Sequence, residues 1–255
     1  MDVEETVSLS QEEIRYQLGL YAIHERSKPY VEWGCGLFAG LINAHVQGIN
    51  DDVLLEKGER PDFRISFPSL QKSLHIEVTM AASKAHQAAL RIMLRDPDVT
   101  HIEPATYSAA PSLETRHMGI GIGRKWQPLR GRGWAGSEAE SQWVNFIDQA
   151  VQKKVLKYYD YGFDQLMIFD DSPVCGWINA YMAVRMIRRK PDPDLPFVVN
   201  IWSGNSFISD LYGECRLYGI EKMHLTEAYF PYVQMNQLDA PGKGIIHTSK
   251  FDKNL

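Results

Sequence analysis

Glu59-Arg60-Pro61-Asp62-Phe63-Arg64-Ile65-Ser66-Phe67, followed after a short linker by Ser73-Leu74-His75-Ile76-Glu77-Val78-Thr79, is the stretch that decides how this chain folds. Phe63, Ile65 and Phe67 alternate with polar residues, and so do Leu74, Ile76 and Val78. A period of two is the signature of a half-buried strand. Two such runs separated by Pro68 to Lys72 predict an antiparallel hairpin, with Asp62 and Glu77 near the same end of it. Two carboxylates brought that close repel each other unless a cation or a shared proton lies between them. Hard oxygen ligands suit Mg2+ or Mn2+. A plainer reading stands beside this one: an Asp after Pro is a common strand-entry residue, and a Glu on a strand commonly faces water.

At 255 residues the chain is long enough for one large α/β domain or two small ones. With 44% hydrophobic and 23% charged residues it has the composition of a folded soluble protein. A net charge of −5 argues against a generally basic protein that coats nucleic acid, and leaves room for a local basic cleft. Cys35, Cys175 and Cys215 are far apart and form no CxxC or Cys/His cluster. They suggest neither a disulfide framework nor a zinc site, and a reducing, cytoplasmic setting is expected. Met1 to Thr6 is acidic and leads into a helix signal, unlike a signal peptide. No apolar run reaches the length of about 18 residues that a membrane span needs.

Ser10 and Glu13 form a capping box, so a helix is expected from there to about Arg26, burying Ile14, Leu18, Tyr21 and Ala22. A second helix, Tyr30 to Val46, is rich in Gly, Leu and Ile and reads as one that packs closely on a neighbour. Glu32 is its only acid and lies near its N-terminal end, where it also complements the helix dipole. Gln47 to Glu59 reads as a polar loop. A helix is expected from about Lys84 to Leu94, carrying Lys84, His86 and Arg91.

Asp98 to Gly136 is the least regular part. Within it Arg124, Lys125, Arg130 and Arg132 interleave with Trp126 and Trp134. Such a pattern suits a nucleic-acid clamp, because cations meet phosphates while rings stack on bases; a surface insertion is the alternative. The GxGxG within it lacks the flanking strand and helix of a dinucleotide site. Ser137-Glu138-Ala139-Glu140 caps the longest helix, to about Tyr159, with Trp143, Phe146, Ile147, Ala150, Val151 and Val155 on its apolar face. Lys153, Lys154 and Lys157 lie in its second half, where lysines complement the dipole. Asp164 to Asp171 reads as a buried strand, Pro173 to Arg188 as a helix, and Phe197 to Trp202 and Met223 to Thr226 as strands. One α/β domain over residues 1–235 is expected, with a loosely attached polar tail over 236–255.

The order of these parts resembles the PD-(D/E)xK nuclease superfamily, and in particular the phage and mobile-element proteins that carry ERPDF…IEVT. The resemblance rests on a helix with Glu32, then Pro61-Asp62-Phe63, then Ile76-Glu77-Val78-Thr79, a helix, and a strand like Leu166 to Phe169. Those proteins also carry a later helix similar to Ile147-x-x-Ala150-Val151-x-x-Lys154-x-x-Lys157. The likeness runs from about Tyr30 to Asp171. It implies a restriction-endonuclease-like fold, a central mixed β-sheet flanked by helices, and metal-dependent hydrolysis of phosphodiester bonds. It further implies that Asp62, Glu77 and the backbone carbonyl of Val78 hold Mg2+ or Mn2+, with Glu32 as an outer or second-metal ligand. The implied partner is nucleic acid, DNA ahead of RNA, with no membrane, and homodimers are frequent in this fold.

Thr79 departs from the superfamily pattern, which has Lys at that position. Such a Lys orients the attacking water and offsets charge in the transition state, and a hydroxyl does neither at comparable strength. Two outcomes follow. The ammonium comes from Lys154 or Lys157, with Lys84 behind them, or the chain is a non-catalytic descendant that binds nucleic acid or a protein.

Overall fold

The computed structural model describes residues 3–20, 28–82, 99–102, 120–122, 137–172, 180–188, 195–203, 206–221 and 224–228. The described chain opens with strand β1 (Val3–Leu9), helices α1 (Gln11–Leu20) and α2 (Lys28–Gln47), and strands β2 (Val53–Gly58), β3 (Phe63–Phe67) and β4 (Lys72–Ala82). Strands β5 (Val99–Ile102) and β6 (Ile120–Ile122) form a separate antiparallel pair. Then come α3 (Glu138–Tyr161), β7 (Gln165–Asp171), α4 (Ala180–Arg188) and β8 (Val198–Ser203). The last described strands are β9 (Ser206–Ser209), β10 (Arg216–Glu221) and β11 (His224–Ala228).

Nine strands make one mixed sheet in the order β1-β2-β3-β4-β7-β8-β9-β10-β11. Neighbours are antiparallel except β4 with β7 and β7 with β8, which run parallel. A parallel pair needs a crossover connection, and α3 lies in the one between β4 and β7. The protein is therefore of α/β class, with helices on both faces of the sheet. Side-chain alternation separates the two faces. Ile76, Val78 and Met167 join Ile14, Leu18, Phe38 and Leu41 in one core under α1 and α2. Ala81, Leu166 and Ile168 join Trp143, Ile147 and Val151 in the other, under α3 and α4. Glu77, between Ile76 and Val78, is thereby turned to the α3 side.

The expected hairpin forms, with Phe63 facing Ile76 and Phe67 facing Lys72; its turn, Pro68–Leu70, is tighter than Pro68 to Lys72, because Lys72 already belongs to β4. The capping box also forms, with Ser10 N donating to Glu13 Oε2 at 2.8 Å and Glu13 N donating to Ser10 Oγ at 3.2 Å. Close packing of the glycine-rich helix is real. A Cβ on Gly36 would come within 2.9 Å of the Phe63 ring, and one on Gly40 within 2.9 Å of Val53. Bare glycine lets α2 lie directly on β2 and β3.

Four expectations need correction. Gln47 to Glu59 is not all loop, because Val53 and Leu55 are buried and alternate through β2; the charges around so short a run hide its period. The first residues form an edge strand rather than only leading to a helix, and the polar composition of β1 is what an exposed edge tolerates. The Asp98 to Gly136 stretch contains the β5–β6 pair. Ser137 sits at the start of α3, but its side chain caps nothing; its carbonyl accepts from Ser141 N and Ser141 Oγ instead. The expected helix over 84–94 and the tail beyond 235 lie outside the described residues.

Candidate functional site

Asp62 immediately precedes β3 and Glu77 lies within β4, so the hairpin register brings them together. Asp62 Oδ2 accepts a hydrogen bond from the backbone N–H of Val78 at 2.7 Å. A strand residue turns its N–H and C=O toward the same neighbour, so the Val78 carbonyl faces the Asp62 side as well. Thr79 alternates onto the Glu77 face.

The long helix α3 crosses this face and presents Lys154 and Lys157, three residues apart and so adjacent on one helix flank. Lys154 Nζ donates to Glu77 Oε1, and Lys157 Nζ donates to the same oxygen at 3.3 Å. The side chain of Glu77 is 1% exposed and that of Lys154 10%, whereas Lys157 is 53% exposed. Glu77 Oε2 is buried and has no hydrogen-bond partner among the described residues. Two ammonium groups thus crowd one carboxylate oxygen, and neither reaches the other.

Burial and the neighbouring Glu77 charge raise the Asp62 carboxyl to about 6, against the opposing pull of the Val78 N–H and Lys154. Burial lowers the Lys154 ammonium, and its hydrogen bond to Glu77 holds it up. The charge of Glu32 reaches both Asp62 and the fully buried Cys35, whose thiol is pushed up first by burial and then by Glu32 and Asp62. Glu32 therefore lies on the α2 side of the same centre.

Tyr161 was not among the sequence candidates. It follows Lys157 by four residues and Lys154 by seven, the spacing of one helix face, and that spacing was the available signal. Burial, then a hydrogen bond to Glu77 and the charges of Glu77 and Asp62, hold its phenol in the protonated form. At the rim, Arg60 pairs with Asp160 at 3.8 Å, both well exposed.

Carboxylate oxygens are hard donors, the ligand type that divalent cations prefer. The buried Glu77 Oε2 and the raised Asp62 carboxyl are the groups that such a cation relieves. Among the described residues, no three His, Cys, Asp or Glu side chains are gathered into a metal-holding cluster. Lys154 and Lys157 both pair with Glu77, while Asp62 is held by the Val78 N–H. Arg124, Lys125, Trp126, Arg130, Arg132 and Trp134, expected to contact nucleic acid, lie outside the described residues, as does Lys84. Among the described residues no helix is long and apolar enough to cross a membrane. No protein-family model, curated protein or solved structure matches this chain.

Proposed function

We propose that this chain is a metal-dependent nuclease of the PD-(D/E)xK type, acting in the cytoplasm on nucleic acid, DNA ahead of RNA. The observation that carries the reading is the meeting of Asp62 and Glu77 with Lys154 and Lys157, which lie 77 and 80 residues beyond Glu77. The order of elements supports it too: a helix bearing an acid, three antiparallel strands, a crossover helix and a parallel strand, as in a restriction-endonuclease-like core.

Asp62 and Glu77 would hold Mg2+ or Mn2+, with the Val78 carbonyl and Glu32 beside them. When bound, the metal supplies a Lewis acid that polarises the phosphodiester. The residues of the chain do the rest. Burial of Glu77 keeps water from screening its charge, so its attraction for a cation is stronger than at a surface. An ammonium from α3 takes the place of the Lys absent at position 79 and faces negative charge as it grows on the phosphoryl oxygens. In the overall step water adds to phosphorus and one P–O ester bond breaks. The products are a phosphomonoester and an alcohol.

Cleavage of single- and double-stranded DNA and RNA with Mg2+ or Mn2+, wild type beside Glu77→Ala, tests this. The expected result is metal-dependent cleavage that disappears in the variant and in EDTA. Thr79 favours one other reading, a module that keeps the scaffold and binds nucleic acid or a protein without chemistry. Nucleic-acid binding that survives chelation, with no cleavage of any substrate, would establish that module instead.

A further inference from the structure

Lys154 and Lys157 donate to the same oxygen, yet their surroundings differ sharply. Lys154 is almost wholly enclosed with Glu77, at 10% side-chain exposure. Withdrawing it would leave a buried carboxylate without its closest counter-charge, which is strongly unfavourable. Lys157 reaches the oxygen at 3.3 Å with more than half of its side chain in water, so its release costs far less. Exposed Lys153 lies one turn before it on the same flank. For holding Glu77 in place, the second ammonium is redundant.

We infer that the two lysines divide the work of the missing motif Lys: Lys154 is a positioning residue that fixes Glu77, and Lys157 is the ammonium that leaves Glu77 to meet a non-bridging phosphate oxygen of the substrate. This inference rests on the nuclease reading above. The charges agree with it. Asp62, Glu77 and Glu32 set three carboxylates against two ammonium groups, so an arriving divalent cation turns the centre net positive. Moving Lys157 onto the phosphodiester sets that excess against the substrate's negative charge. Glu77 keeps Lys154 on Oε1 throughout, which leaves Oε2, the oxygen that neither ammonium touches, for the cation.

The test uses the full chain with Mn2+, measuring Mn2+ affinity by calorimetry without nucleic acid, Tm, and kcat and KM on a DNA substrate that wild type cleaves. Lys157→Met is expected to lower kcat about 100-fold, with Mn2+ affinity within about threefold of wild type and Tm nearly unchanged. Lys157→Arg is expected to recover most of that loss, because either cation reaches an exposed phosphate. Lys154→Met is expected to weaken Mn2+ binding by more than about tenfold and to lower Tm by about 5 °C. Lys154→Arg is expected not to restore Mn2+ affinity, since the enclosed slot fits an ammonium. If Lys154→Met fails to fold, Lys154→Gln carries the same measurement. Equal losses of Mn2+ affinity in the two Met variants, or an unchanged kcat in Lys157→Met, would overturn the division while leaving the nuclease reading in place. A wild-type chain that neither binds Mn2+ nor cleaves would overturn both.

Discussion

Glu77 on β4 and Asp170 on β7 are both buried acids on the α3 side of the sheet, and they are held in opposite ways. Asp170 Oδ2 accepts from Trp143 Nε1 at 2.7 Å and from Ser203 Oγ at 3.1 Å, and its Oδ1 accepts from the Ser172 N–H at 3.0 Å. All three donors are neutral, and both oxygens are used. Burial raises its carboxyl, and these hydrogen bonds pull it back. Glu77 is held by two cations on one oxygen, and neither reaches the other. An acid whose oxygens are all engaged by neutral donors ties a strand end to a helix. An acid paired with cations is the kind that the proposed function requires, since one cation there has to give way to another. Burial alone does not distinguish the two; the kind of partner does.

Glu77→Ala and Asp170→Ala give the largest separation. Removing Glu77 is expected to lower cleavage per folded molecule about a thousandfold, ~4 kcal/mol of transition-state stabilisation, and to lower stability as well because buried Lys154 loses its counter-charge. Removing Asp170 strands three donors and is expected to cost ~3 kcal/mol in urea denaturation, with the rate per folded molecule preserved. A reversal of those two outcomes would erase the contrast. Trp143→Phe keeps an aromatic ring but removes one donor, and is expected to cost ~2 kcal/mol in the same assay without touching cleavage kinetics.

The smallest effect sharpens the Glu77 side. Asp62 carries a folded pKa of about 6 against an ordinary 3.8. Between those values the folded chain keeps a proton that the unfolded chain has released, so stability falls as pH rises through that window. Above it the cost is constant. Asp62→Asn keeps an acceptor for the Val78 N–H and removes the charge. It is expected to stabilise the metal-free chain at pH 8, with the gain gone below pH 4. A denaturation series across pH reads this directly, and a gain that persisted at pH 3 would refute the assigned cause.

Much of the centre was legible because its parts are close in sequence or repeat with a simple period. The alternation of Phe63, Ile65 and Phe67 with Leu74, Ile76 and Val78 required a hairpin, and the hairpin required Asp62 to approach Glu77. Lys154 and Lys157 emerged as candidates through the resemblance and the absence of Lys at position 79, while local rules alone assigned them to the helix dipole. Tyr161 went unnoticed because a Tyr at a helix end has many ordinary roles. Strands β1, β2, β5, β6, β9 and β10 are not legible in the sequence, because charged or turn-forming neighbours interrupt short alternations and pairing with an adjacent strand outweighs weak local preference.

The sequence by itself determined the capping box at Ser10 and Glu13, the hairpin and the approach of its two acids, because each depends on groups within a few residues or on a strict period of two. Only the tertiary structure decided which cations answer those acids. The crossover from β4 to β7 carries α3 over the sheet and lays Lys154 and Lys157 on one oxygen of Glu77 and neither on the other. That outcome depends on helix placement and depth of burial. No local pattern encodes either, since both arise from how two faces of a sheet are covered.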